Sequence, residues 1–551
     1  MARVPFSGLL LCMLFAGLSA QAPPPAPQPT PAQVLRGAYG PYRANNDLLY
    51  YHLNVRVDPA AKTIAGDNLI RFRMLADGNR IQIDLNPALA VDKILFEGAP
   101  LQFERQYGAV FLDFPSPLRN GHVYAVDFFY SGGPASTGRF GGMTFGADSA
   151  GHPWINTACE GIGSSFWWPS KDQWKDEVQN MEISVAIPDD LVDVSNGRLL
   201  GKAPLGNGYT RWDWMVDYPI NSYDVSLNIG NYQHFSDRLG NLPLDFYALP
   251  ADLERARTQF AQARTMLEAY QHYFGQYPWE KDGYKLIEAP YSGMEHQSAV
   301  TYGNHFTNGY LGHDWTGVGI SPRFDFIIIH ESAHEWFGNS ITAADSADEW
   351  IHEAWATYLE SLYVEYRWGK ADGLKYLDGY QSHVRNRQPI LGVRGIDAEP
   401  PQDMYFKGAL MINTLRSVIN NDSRWFSLLH NFYQHFKYQT ILTEDVVNYW
   451  NQATGMNLTP IFDQYLRHTA LPVLQLRFDG AAGTVAYRWQ ADEAGFAMPI
   501  RVGDPAHWSL ITPVTTAWKT LKTTLAPDQF QVPTDLYFIK VDRNPAQTSA
   551  N

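Results

Sequence analysis

The segment His330-Glu331-Ser332-Ala333-His334 follows directly on Ile327-Ile328-Ile329, and that juxtaposition limits what this chain can fold into. Residues four apart share a helix face, so both imidazoles can address one ion with Glu331 projecting beside them. The isoleucines mark the helix as buried. Two histidines and two glutamates on a buried helix need partners, because an unpaired ionisable group is costly to remove from water. A surface helix with two solvated histidines is the alternative, and the isoleucine run argues against it. Glu353 follows His334 after eighteen intervening residues, on the next expected helix, in Trp350-Ile351-His352-Glu353-Ala354-Trp355. Two His and one Glu with an open fourth position form a catalytic zinc set, although similar divalent metals suit the same donors. Such an ion lowers the pKa of a bound water and polarises a substrate carbonyl.

Around this segment the texture of the chain changes twice. Tyr51, Leu53, Val55 and Val57 alternate with polar residues, as does the run Leu69 to Met74 after a turn near Gly66, and each predicts a half-buried strand. Short strands punctuated by Gly, Pro and Asn continue to about Gly230. Leu253, Ala256, Phe260, Ala263, Leu267, Tyr270 and Phe274 then recur at spacings of three and four, predicting a helix stopped by Gly275. Further helices are expected over Asp325 to Phe337, Asp348 to Tyr366, Lys407 to Ile419 and Trp425 to Phe436, and one opens at Thr459-Pro460. After Arg467 alternation returns, with a turn at Asp479-Gly480. The expected fold is a multidomain α+β arrangement. It comprises an N-terminal all-β domain at 41–230, a mostly α catalytic domain at 231–468 and a small C-terminal β domain at 469–551.

The first residues read differently. Arg3, the apolar run Leu9 to Leu18 and Leu18-Ser19-Ala20 predict a secretory signal peptide over 1–20, too short to span a membrane stably. Export follows, to the periplasm or beyond the cell. Residues 21–40 form a Pro/Ala-rich linker, expected to be stiff and extended from Gln21 to Gln33. Removal of Cys12 with the signal leaves Cys159 alone, so no internal disulfide forms; a lone Cys with no base beside it reads as a small buried hydrophobe. The net charge of -15 argues against nucleic acid as a partner, since that binding depends on Lys and Arg contacts to phosphate.

Several motifs then converge. Trp336-Phe337-Gly338-Asn339, Thr342 and Glu353-Ala354-Trp355-Ala356 follow the zinc helix, and Ser292-Gly293-Met294-Glu295-His296 precedes it. Asp403-Met404-Tyr405-Phe406-Lys407-Gly408-Ala409 comes later. Together they resemble the gluzincin aminopeptidases, the family of aminopeptidase N and leukotriene hydrolase. The resemblance implies a thermolysin-like catalytic domain and one zinc ion held by His330, His334 and Glu353, with Glu331 as general base. It implies that Gly293, Met294 and Glu295 belong to the exopeptidase motif, whose Glu binds a free α-amino group. It further implies that the Tyr405 phenol donates to the developing oxyanion, a strong lever in a dry site. Glu160, in Cys159-Glu160-Gly161-Ile162, falls where the family places a Gln or Glu that helps hold the amino end. Two carboxylates facing a cationic amino end disfavour the middle of a peptide.

Two residues depart from the family pattern. His296 and His352 each stand where Asn is usual, and His296 bears on the geometry of the amino-binding loop. A second metal site using His296, His305 or His352 is a weaker reading than solvated or hydrogen-bonded histidines. The large helical C-terminal domain of many members has no counterpart here, which implies a more open site. The expected activity is hydrolysis of the N-terminal bond of peptides with free amino ends. The rivals are a thermolysin-like endopeptidase, a hydrolase of a non-peptide substrate and a catalytically silent scaffold.

Overall fold

The computed structural model describes residues 28–138 and 141–544. The expected signal peptide, Cys12 and the first part of the expected linker lie outside the described residues. From Pro31 the reading of an extended linker is corrected, because Pro31–Gly37 is a helix, α1. Thr30 and Gln33 cap it reciprocally and Pro31 opens its first turn, a local sequence signal that the surrounding prolines obscure. Just beyond, Arg43 is fully buried. Its Nη1 donates to the carbonyls of Leu35, Arg36 and Ala38 at 3.2, 2.6 and 2.8 Å, and its Nη2 to Asp84 Oδ2 at 2.6 Å.

The N-terminal region is all β. Asn46–Asp58 lies within an eight-stranded sheet, antiparallel to Thr63–Met74 and parallel to Asn180–Pro188. Tyr51, Leu53, Val55 and Val57 point into the core, as a period of two requires. The turn joining the first pair lies at 59–62, and Gly66 stands inside the second strand opposite Val55 rather than at a turn. A five-stranded sheet that includes Pro153–Ala158 delivers the chain to Glu160. From Gln233 the pairing changes. Gln233–Leu239 and Leu242–Ala248 join Tyr284–Glu288, Val300–Tyr302 and Gly293–Met294 in that order, so Gly293–Met294 is an edge strand.

Helices follow. The predicted continuous helix from Leu253 to Phe274 is two, α2 (Leu253–Gln259) and α3 (Gln262–Phe274). At the break Gln259 donates to Asp325 Oδ2 at 2.6 Å, and the Phe260 ring lodges against Tyr302, Phe246 and Phe306. Tertiary packing therefore overrides a periodicity that would suit one helix. Then come α4 (Phe326–Ala333), α5 (Trp350–Trp368) and α6 (Asp403–Ile419). Lys370–Asp378, Asp422–Phe436, Thr443–Thr454 and Thr459–Leu466 pack around them. The chain ends in β structure, where Val473–Asp479 and Thr484–Gln490 form a hairpin within a four-stranded sheet. Tyr465 donates to the Phe538 carbonyl at 2.7 Å and Tyr537 to that of Ser417 at 3.1 Å, fastening this sheet to the helices. One apolar core runs from Leu48 to Ile539 across all three regions. Among the described residues no helix is long and apolar enough to cross a membrane.

Replacing Arg43 with Ala strips three carbonyls and the Asp84 carboxylate of their buried partner. Breaking such a pair costs about 3–5 kcal/mol. Urea unfolding of Arg43→Ala is expected to show a loss of that order, with Arg43→Lys intermediate.

Candidate metal centre and active site

Asp325 starts α4. Its carboxylate caps Ile327 and Ile328 at 3.1 and 3.4 Å and accepts from Gln259, Tyr302 and Asn304, which tie the helix start to its neighbours. Burial pushes this carboxyl up to about 6, against the hydrogen bonds that favour its charge. The isoleucines are buried, as the run predicts. Regular α geometry ends earlier than Phe337, however, because the chain kinks at Phe337 and Gly338. The kink brings the Phe337 carbonyl to His334 Nδ1 at 3.0 Å.

Each polar group of this buried segment has found its place. His330 Nδ1 meets Glu360 Oε1 at 2.7 Å, and Glu360 Oε2 accepts from Tyr376 and Tyr380 at 2.7 and 2.5 Å. A carbonyl only accepts, and Glu360 receives on both oxygens, so each ring donates from Nδ1 and leaves Nε2 as the atom turned inward. Glu335 is held by Tyr277, Trp279 and the Ser298 amide. Glu331 faces the cleft, where burial pushes its carboxyl up to about 7; the neighbouring histidines oppose the rise and Glu295 adds to it.

His330 Nε2, His334 Nε2 and Glu353 Oε2 stand 3.4 Å from one another on all three sides. Bonds of about 2.1 Å at tetrahedral angles put zinc ligands about 3.4 Å apart. Glu353 Oε2 is also buried without a hydrogen-bond partner. The donor set and spacing therefore fit zinc. Neither group of potential ligands among the described residues includes His296, His305 or His352. His296 and His352 are buried, and burial pushes both rings down to about 3. His352 Nε2 accepts from the Ala343 amide at 2.8 Å and its ring stacks on Trp174.

The other expected residues line the same cleft, of about 860 Å³. Tyr405 lies in the first turn of α6, its ring centroid 6.1 Å from that of His330. Burial raises its phenol, and the charges of Glu353, Glu160 and Glu349 raise it further. Met294 and Gly293 form the edge strand. A Cβ on Gly293 would lie 2.7 Å from Glu331 Cγ and Oε1, so only glycine lets this strand come so close to the zinc helix. Asn339 holds the Glu295 carbonyl at 2.6 Å, while Glu295 Oε1 is buried with no partner. Glu160, on the loop after Pro153–Ala158, approaches from the β region.

Two functional positions escape the motif reading. Glu349 opens α5, and its carboxylate gathers with those of Glu160 and Glu353, each pair of ligand atoms within 4.8 Å. Burial raises Glu160 and Glu349 well above the usual carboxylate range, and neighbouring negative charges raise them further. Glu360 is the second. Both were detectable, since positions four before and seven after Glu353 share its helix face.

A buried helix with two inward Nε2 atoms, a carboxylate from the following helix and a glutamate beside them defines the gluzincin class of metal centre. Residues 258–465 match the Peptidase family M1 domain. It is 22% identical over 289 residues to the leucyl aminopeptidase of Saccharolobus solfataricus, covering 50% of this chain and 36% of that protein. It is 25% identical over 282 residues to endoplasmic reticulum aminopeptidase 1 of Rattus norvegicus, covering 48% and 29%. The chain thus spans about a third of the length of these relatives. Its fold resembles the crystal structure of an M1 zinc metallopeptidase from Deinococcus radiodurans with a TM-score of 0.65 at 21% identity, covering 78% of this chain and 94% of that one.

Glu360 orients a ligand rather than binding the ion, and losing such a partner lowers metal affinity about 10–100-fold. Glu360→Gln is expected to lose zinc to a chelator at correspondingly lower chelator concentration, with little change in thermal unfolding of the metal-free protein.

Proposed function

We propose that this chain is an exported zinc aminopeptidase that releases the first residue of peptides with free amino ends. The observation that carries the reading is that Glu353 belongs to both carboxyl-containing groups. A Glu353 oxygen completes the metal triad, and a Glu353 oxygen lies within 4.8 Å of ligand atoms of Glu160 and Glu349. Within one residue the amino nitrogen and carbonyl carbon are about 2.5 Å apart. An ammonium held by these carboxylates therefore presents its own first carbonyl to the triad, and the bond beyond it is the one cleaved.

His330, His334 and Glu353 would hold the zinc ion, which when bound supplies Lewis acidity and lowers the pKa of a bound water. Glu331 takes the proton of the attacking water and returns it to the leaving amine, a role suited to a carboxyl near pH 7. Tyr405 donates a hydrogen bond to the carbonyl oxygen as negative charge develops there. Glu295, Glu160 and Glu349 hold the α-ammonium through charge-assisted hydrogen bonds. The edge strand Gly293–Met294 offers backbone groups to an extended peptide, independent of its side chains. Retention of the complete set disfavours a silent scaffold. The signal-peptide pattern over 1–20 supports export, which fractionation of expressing cells would test.

Amino-acid anilides and short peptides, each with free and acetylated amino ends, test the reading directly. Only free ends should be cleaved, with activity lost on chelation and restored by zinc. Cleavage of acetylated peptides would put an endopeptidase in its place. Glu331→Gln should lower kcat about a thousandfold. Glu349→Gln should instead raise KM for free amino ends about tenfold, the effect of losing one charged hydrogen bond.

A further inference from the structure

The helix α1 is seven residues long and buries none of them. A helix so short does not persist alone in water. Its order therefore comes from what it touches, and it touches both walls of the cleft. Arg36 Nη2 donates to the Gly161 carbonyl at 3.0 Å, one residue from Glu160. Arg36 Nε lies 3.6 Å from Asp172, which is almost fully buried and receives the Ser164 and Ser165 amides at 3.2 and 3.3 Å. Arg36 Nη1 reaches across to Asp397 at 3.0 Å. Asp397 precedes Glu399 and Gln402, which line the cleft ahead of α6 and Tyr405.

The backbone repeats the same bridge. The Asp397 amide donates to the Gln33 carbonyl at 3.0 Å, and Gln33 Nε2 donates to the Asp397 carbonyl at 3.3 Å. A Cβ on Gly37 would lie 2.4 Å from Asp397 N and Ile396 C, so this close approach requires glycine. Arg43 anchors the far end of α1 to the β region by its three carbonyl contacts. An ordinary surface ion pair contributes little. This arginine differs in joining three partners on two separate walls, one of them the loop that carries Glu160.

We infer that α1 is a strap that sets the separation between the amino-end carboxylates and Tyr405, with Arg36 acting as a positioning residue for Glu160. The inference rests on the aminopeptidase reading for its kinetic consequence, though not for its structural one. Releasing Arg36 lets the Glu160 loop drift while the metal triad, held by α4 and α5, stays in place. Binding of the amino end weakens, and the chemical step on a bound substrate changes little.

Hydrogen exchange and kinetics on Arg36→Ala, Arg36→Lys and Gly37→Ala test this. In Arg36→Ala the amides of 159–165 and 395–399 should lose protection together, while those of α4 and α5 keep theirs. KM for a free amino-end anilide should rise between about tenfold and a hundredfold, with kcat within about twofold of the parent. Arg36→Lys, which keeps one ionic contact, should restore part of the KM, and Gly37→Ala should reproduce the loss without removing a charge. Unchanged exchange at 159–165 with unchanged KM would overturn the strap, as would a fall in kcat with KM unaltered. Should the parent protein cleave only acetylated peptides, the aminopeptidase reading fails, and the exchange pattern alone then decides whether α1 couples the two walls.

Discussion

The contact between His330 and Glu360 is the constraint around which the catalytic region is arranged. Placing two imidazoles and two carboxylates in an apolar interior is unfavourable unless each is paired. Glu360 answers that demand for His330, and it is itself held by Tyr376 and Tyr380. The Phe337 carbonyl serves His334, and Tyr277, Trp279 and Ser298 serve Glu335. The kink after His334 thus has an energetic reason. A straight helix would carry the Phe337 carbonyl along its own axis and leave His334 Nδ1 without an acceptor. Glu331 alone is spared a protein partner of this kind, and it is the carboxylate left facing the cleft.

Much of this was readable in advance, because the chemistry lies in local patterns. The spacing of His330 and His334, the isoleucines before them and Glu353 on the next helix announced the metal centre. Alternation from Tyr51 to Val57 announced the first sheet. What stayed hidden depends on contacts between distant segments. Gln259 and Phe260 break a helix that periodicity makes continuous, because their partners Asp325 and Tyr302 come from elsewhere. Glu349 carries no motif; its spacing of four before Glu353 is legible, whereas its meeting with Glu160 depends on a loop that arrives from the β region. The helix α1 had its own signature in Thr30 and Gln33, masked by a composition that otherwise suits an extended chain.

The cleft concentrates negative charge at one end. Burial raises the Glu160 and Glu349 carboxyls, and the neighbouring charges of Glu295 and Glu353 raise both further. The carboxylates thus form the charged end of the cleft, and Trp315, Phe326 and Phe406 belong to its remaining lining.

Trp174 and Gln173 give this arrangement a further meaning. The Trp174 ring stacks on His352, the residue before Glu353, with ring centroids 5.1 Å apart, and Gln173 donates to the Ala344 carbonyl at 3.1 Å. The connection 159–179 of the β region thus packs against the residue before a metal ligand and also supplies Glu160. Exchanging the β region would therefore change what packs on His352, next to Glu353, along with the loop that carries Glu160.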